Sequence, residues 1–198
     1  MVLTNALYFF GEWEKKFKKD STVSSEFYKS DNSTVMVDMM NQVANFKYAE
    51  IDNLNAQALE LPYKNNNLTC LVILPRDKDG VEALVTELTK ENVLSSTMSS
   101  LQKQRVAVSL PKFKTTTSID LKDIFIKLGI TSIFDPDRTG LSGILADPTI
   151  RVLVTAAIQK STIDVDETGS EAAAANAIIG VGITSLPPPP IPFIADRG

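Results

Sequence analysis

The sequence contains no histidine. That excludes a Ser-His-Asp triad, a histidine general base and a histidine metal site. Cysteine is nearly as scarce: Cys70 stands alone, so no disulfide forms within the chain. It sits in the apolar run LTCLVILP, which implies a buried structural thiol rather than a reactive nucleophile. No run is long and apolar enough to cross a bilayer as a helix, so no membrane partner is expected. The opening residues Met1-Val-Leu-Thr-Asn5 carry no secretory signal pattern. Long basic tracts are missing as well, and a net charge of −4 argues against nucleic acid as a partner. The one short basic cluster, Lys15, Lys16, Lys18 and Lys19, reads as solvated surface.

What remains is an ordinary globular composition. With 198 residues, 43% of them hydrophobic, the chain is able to bury a real core. Val2 to Phe10 (VLTNALYFF) is almost continuously apolar, which predicts a central strand covered on both faces. Further strands are expected over 35–51, 57–63, 68–75 and 105–113, with Pro111 marking an edge, bend or end. Lys64-Asn-Asn-Asn67 suits a hairpin turn between two of them. Apolar residues at 81, 84, 85 and 88 predict a helix over 80–88. Ile119, Leu121, Ile124, Phe125 and Leu128 predict another over 118–128, stopped by Gly129. A turn is expected at Phe134-Asp-Pro-Asp, and 151–165 is β-prone. There is no internal repeat, and the mixture reads as α+β with a large antiparallel or mixed sheet. Because the chain opens inside a strand and stops at Ala195-Asp-Arg-Gly198, it is expected to be a fragment of a larger fold. Asn32-Ser-Thr and Asn67-Leu-Thr are glycosylation candidates if the protein is secreted.

One stretch fits none of these elements. Residues 169–190 read GSEAAAANAIIGVGITSLPPPP. Extended, it would place Ser170, Ala172, Ala174 and Asn176 on one face and Glu171, Ala173, Ala175 and Ala177 on the other. Side chains this small can enter beneath a covering layer. A helix over Glu171 to Ile179 would be marginal alone, the glycines oppose its continuation, and Pro187 to Pro190 favour an outward polyproline segment. Two readings stand: an exposed loop, or an exposed loop that is able to become a strand.

The segment DETGSEAAAANA resembles the hinge of the reactive-centre loop of inhibitory serpins. Other stretches are similar to that family in the same order: Thr4-Asn-Ala-Leu-Tyr-Phe-Phe-Gly-Glu-Trp13, Leu110-Pro-Lys-Phe113, Leu128-Gly-Ile, Phe134 and Pro192-Phe-Ile-Ala-Asp-Arg197. The resemblance spans residues 1–198 as a partial serpin domain, its second half, with hinge and loop at 166–190. The proline-rich run is reminiscent of arthropod members. Gly198 stands where the family has proline followed by core strands. The resemblance implies a partial serpin fold: a large, mostly antiparallel sheet, additional sheets, a few helices and an exposed loop.

It also implies a function. A target serine protease cleaves the loop as a substrate, and the hinge then inserts between the strands at 2–10 and 151–165, trapping the enzyme. The inhibitor is not an enzyme and needs no catalytic residue, cofactor or metal. The sequons and the arthropod likeness favour an extracellular protein, with an intracellular serpin as the alternative, and at full length a monomer is expected. Counting from Glu167 puts the reactive bond at Ile183–Thr184; counting back from Phe193 puts it at Thr184–Ser185. Ile183 implies an elastase-like or otherwise apolar-selective protease. The hinge is Glu167, Gly169, Ser170, Glu171, Ala172, Ala173, Ala174, Ala175 and Asn176, with Asn176 in place of the family's small threonine. Glu167 and Lys112 match the breach ion pair, with a plain surface pair as the other reading, and Trp13 matches the breach aromatic. Asn5 matches the shutter asparagine, and Gln159 replaces its usual histidine partner, so no titrating group carries over. A non-inhibitory carrier, chaperone or storage serpin, or an inactive truncated product, are the alternatives.

Overall fold

The structure, a computed structural model, describes residues 1–9, 11–31, 33–64, 68–138, 141–144, 147, 152–167 and 188–198. The chain divides into two compact units, Met1–Phe10 with Lys114–Asp164 and Gly11–Phe113 with Val165–Gly198.

The first unit holds a three-stranded sheet. Its strands are β1 (Val2–Phe9), most of β7 (Phe113–Asp120) and most of β8 (Ala156–Val165), with β8 in the middle. β1 and β8 run parallel through eight residue pairs, from Val2 opposite Ala156 to Phe9 opposite Ile163. The apolar composition of β1 predicted a central strand buried on both faces, and the structure corrects this. β1 lies at the edge of its sheet, and seven of its eight residues are exposed. Apolar side chains favour burial, but they do not supply the layer that buries them, and among the described residues β8 is the only strand paired with β1.

The helix expected over 118–128 is also shorter. Residues 118–120 complete β7, and the helix α3 is Lys122–Lys127. The β-branched run Thr115-Thr116-Thr117 favours strand. Asp120 then starts the helix, its carboxylate accepting the Lys122 N–H at 3.0 Å. Gly129 ends it with a φ of +86°, a backbone shape that costs glycine little.

The second unit contains a six-stranded, mostly antiparallel sheet. Its path is β5 (Thr69–Pro75), β4 (Ala56–Pro62), β3 (Thr34–Ile51), β6 (Gln102–Pro111) and β9 (Ile191–Ile194), with β2 (Val23–Tyr28) on the first half of β3. The expected strands over 35–51, 57–63, 68–75 and 105–113 fall here within a few residues. Alternation explains β3: Phe46 and Tyr48 are buried, while Asn45 and Lys47 between and beside them face solvent. Val106, Val108 and Leu110 of β6 complete the core with Trp13, Phe17, Met40, Leu59, Leu61 and Phe193. β9 is short, yet it is well fixed. It pairs parallel with β6, and Phe193, opposite Val108, is fully buried, which stabilises it by about 1.5–3 kcal/mol.

Two helices, α1 (Val81–Leu88) and α2 (Val93–Ser100), also belong to this unit. α1 matches the expected 80–88 stripe, and its Leu84 packs in a smaller core cluster with Ile51, Leu54, Ala56 and Ala58. Cys70 is half-buried beside that larger core, and burial pushes its thiol up, against nucleophilic use.

Candidate functional site

The site begins where β8 ends. Asp166 and Glu167 follow Val165, and four groups from distant parts of the sequence hold them. The Trp13 indole N–H donates to the Asp166 carbonyl at 2.9 Å. The Phe17 backbone N–H donates to the Glu167 carbonyl at 3.1 Å. Lys112 Nζ meets Glu167 Oε2 at 2.9 Å, and Thr22 Oγ1 donates to Oε1 at 2.7 Å. Glu167 is only 4% exposed. Both carboxylate oxygens are therefore satisfied, as burial of a charge demands.

Local structure sets each partner. Trp13 pairs with Tyr63 in an isolated bridge, and the two rings stack at 4.6 Å with 11° between their planes. Phe17 is buried and meets Trp13 edge-on. Thr22 follows a short 3-10 turn, Lys19–Ser21. Lys112 follows Pro111, the end of β6, and its N–H donates to the Asp38 carbonyl.

Electrostatics agree with this geometry. Burial alone would raise the Glu167 carboxyl, but hydrogen bonds from Lys112 and Thr22 outweigh it and hold the group below the ordinary carboxylate value. The hydrogen bond to Glu167 raises the Lys112 ammonium.

The structure therefore brings Trp13, Lys112 and Glu167 together. Sequence reasoning missed Thr22 and the Phe17 amide. A backbone donor leaves no trace in composition, and Thr22 lies 145 positions from its carboxylate. Asn5 and Gln159 face each other as direct partners in the β1–β8 ladder. Asn5 is exposed, Gln159 is half-buried, and the Gln159 amide donates to Ser161 Oγ at 3.2 Å. Lys114 Nζ and Asp164 Oδ2, 2.7 Å apart, join β7 to β8.

Downstream, the chain is held again. Arg105 Nη1 donates to the Pro188 carbonyl at 3.3 Å, just before β9 joins β6. Twenty residues thus separate two fixed points, Glu167 and Pro188. The expected hinge residues Gly169, Ser170, Glu171, Ala172, Ala173, Ala174, Ala175 and Asn176 lie outside the described residues. So do Ile183, Thr184 and Ser185, and the sequons at Asn32 and Asn67. No helix among the described residues is long and apolar enough to cross a membrane, and no described cluster of three or more acidic or thiol side chains is placed to hold a metal.

Comparison with known proteins follows the same lines. The family model described as Serpin (serine protease inhibitor) matches residues 1–198. Human Serpin B3 is 37% identical over 185 residues, 92% of this chain and 46% of its own length. Antichymotrypsin-2 of Bombyx mori is 37% identical over 196 residues, 99% of this chain and 52% of its own. Among solved structures, Serpin48 of the insect Tenebrio molitor superposes with a TM-score of 0.70 at 33% identity, covering 98% of this chain and 50% of its own. Uncleaved ovalbumin gives a TM-score of 0.78 at 26% identity, covering 99% and 48%. The chain spans about half the length of the relatives it matches.

Proposed function

The chain belongs to the serpin family, and from that premise we propose that a protein carrying it inhibits a serine protease as a suicide substrate. The observation that carries this reading is the β1–β8 ladder, with the chain anchored at Glu167 directly beyond it. β1 and β8 are adjacent and parallel over eight pairs. A segment that turned back after Glu167 would run antiparallel to both. Its insertion breaks one parallel ladder and forms two antiparallel ones, which are somewhat more stable per residue. The alternating small side chains of Ser170 to Ala177 suit such a strand, and Gly169 supplies the freedom to reverse.

The chemistry belongs to the protease. Its serine oxygen attacks the Ile183 carbonyl carbon, the bond to the Thr184 nitrogen breaks, and that nitrogen leaves as an amine carrying a proton. Insertion then carries the acylated enzyme away before water releases it. Ile183 in the primary pocket selects an elastase-like or other apolar-selective enzyme. The two sequons suit a secreted glycoprotein, acting as a monomer.

The test is incubation of a full-length protein containing this chain with elastase, chymotrypsin and trypsin, read on denaturing gels and by mass spectrometry. An SDS-stable complex with an apolar-selective enzyme is expected, with a released fragment beginning at Thr184, or at Ser185 in the alternative register. Cleaved product alone across the panel sinks the inhibitory reading.

A further inference from the structure

The second unit contains a cleft of about 350 Å³, lined among others by Lys15, Asn45, Lys47, Glu60 and Lys103. Its cations come from separate segments. Lys15 belongs to the short basic cluster of the sequence, Lys47 to β3 and Lys103 to β6. Register places Lys47 directly opposite Lys103. Like charges opposed in this way are destabilising. Glu60, the β4 partner of Lys47, compensates only one of them, at 2.9 Å. Lys15 Nζ donates to the Asn45 carbonyl at 2.5 Å and lies 5.1 Å from the Phe46 ring centroid. Glu14 is the other carboxylate on the cleft wall. Among the described residues, no carboxylate pairs with Lys103. Arg105, opposite Asn45, extends the same exposed strand face.

The cleft borders the exit of the loop. Arg105 reaches the Pro188 carbonyl, and the β6–β9 ladder opens at the next residue of β6, with Val106 opposite Ile191. Thr184 is four residues from Pro188, at most about 14 Å along an extended chain. A protease of some 230 residues has a radius of gyration of roughly 17 Å. An enzyme seated on the Ile183–Thr184 bond is therefore within reach of this cleft.

We infer that the face formed by Lys15, Lys47, Lys103 and Arg105 is a secondary docking surface for an acidic segment of the target protease. It rests on the inhibitory reading and adds the charge of the partner. Opposite charge steers encounter, so the effect falls on the association rate.

The test uses a full-length protein containing this chain, wild type and Lys103→Glu, against apolar-selective proteases spanning acidic to basic net charge. The association rate with acidic enzymes is expected to fall on the order of tenfold at low salt. The difference should vanish at high salt, with unchanged stoichiometry. Equal rates and equal salt dependence for the two proteins overturn the inference. A protease with its active-site serine replaced by alanine separates this failure from that of the inhibitory reading. If it binds wild type more tightly than Lys103→Glu while the active enzyme forms no covalent complex, the docking surface stands and inhibition falls. If covalent complex forms and the two proteins bind equally, inhibition stands and the docking surface falls. Retention on immobilised heparin that Lys103→Glu abolishes, with protease rates unmoved, assigns the cleft to a polysaccharide and refutes the proposal.

Discussion

The Lys112–Glu167 pair can be weighed by a double-mutant cycle of Lys112→Ala, Glu167→Ala and both together. An exposed ion pair contributes about 0.2–1 kcal/mol. A hydrogen bond to a charged group in a buried setting contributes about 1.5–3 kcal/mol. Here the Glu167 side chain is 5% exposed and that of Lys112 35%. Water screens the lysine partly, so a coupling near the lower end, about 1.5–2 kcal/mol, is expected. Glu167→Ala alone should cost more, about 2–3 kcal/mol, because Thr22 and Lys112 both lose their acceptor. The Thr22 contribution is common to both arms of the cycle and cancels.

The pH dependence has a definite sign. The Glu167 carboxyl is lowered from 4.5 on folding, so its stabilisation is complete above 4.5 and is lost as pH falls through the lower folded value. The Lys112 ammonium is raised from 10.5, so its share is complete below 10.5 and is lost as pH rises through the higher folded value. Coupling should therefore be flat around neutrality and collapse in acid. Urea titration in a full-length protein containing this chain reads the global effect. Exchange of the Phe17 amide, bonded to the Glu167 carbonyl, reads the local one. A coupling under about 0.5 kcal/mol near neutral pH would return the pair to an ordinary surface contact, and a coupling that survives in strong acid would disprove the charge-based account.

Two further outcomes are expected. Asn176→Thr should lower the number of inhibitor molecules consumed per protease trapped, because a buried amide without partners costs about 1–3 kcal/mol during insertion; an unchanged stoichiometry by titration refutes the cost assigned to Asn176. The 198-residue chain expressed alone should bind a hydrophobic dye, self-associate and form no covalent complex, since Val2, Leu7 and Tyr8 of β1 are 53–60% exposed. Leu7→Lys should reduce the light scattering, and a monomeric, dye-free chain would contradict this.

Much of the second unit was legible because its strands alternate. Phe46 and Tyr48 against Asn45 and Lys47 display a period of two, and the Leu84 stripe displays a helical one. β2 was invisible: Val-Ser-Ser-Glu-Phe-Tyr has a weak pattern, and pairing with β3 makes it a strand. α2, Val93–Ser100, is rich in serine and buries only Thr97, so no apolar stripe announced it. At 118–120 the helical spacing of Ile119 and Leu121 competed with three successive threonines, and the strand beside β8 prevailed.

The sequence by itself determined the α+β character, the lack of histidine chemistry, the small-residue tract and its family likeness. Those are properties of composition, local period and motif. Only the tertiary structure decided that β1 stands at an edge, that Thr22 and the Phe17 amide share Glu167 with Lys112, and that Lys47 faces Lys103 beside the exit of the loop. Each depends on pairing register or on contacts between segments far apart in the chain. A local pattern carries no record of them, because the same alternation is compatible with any even shift of register.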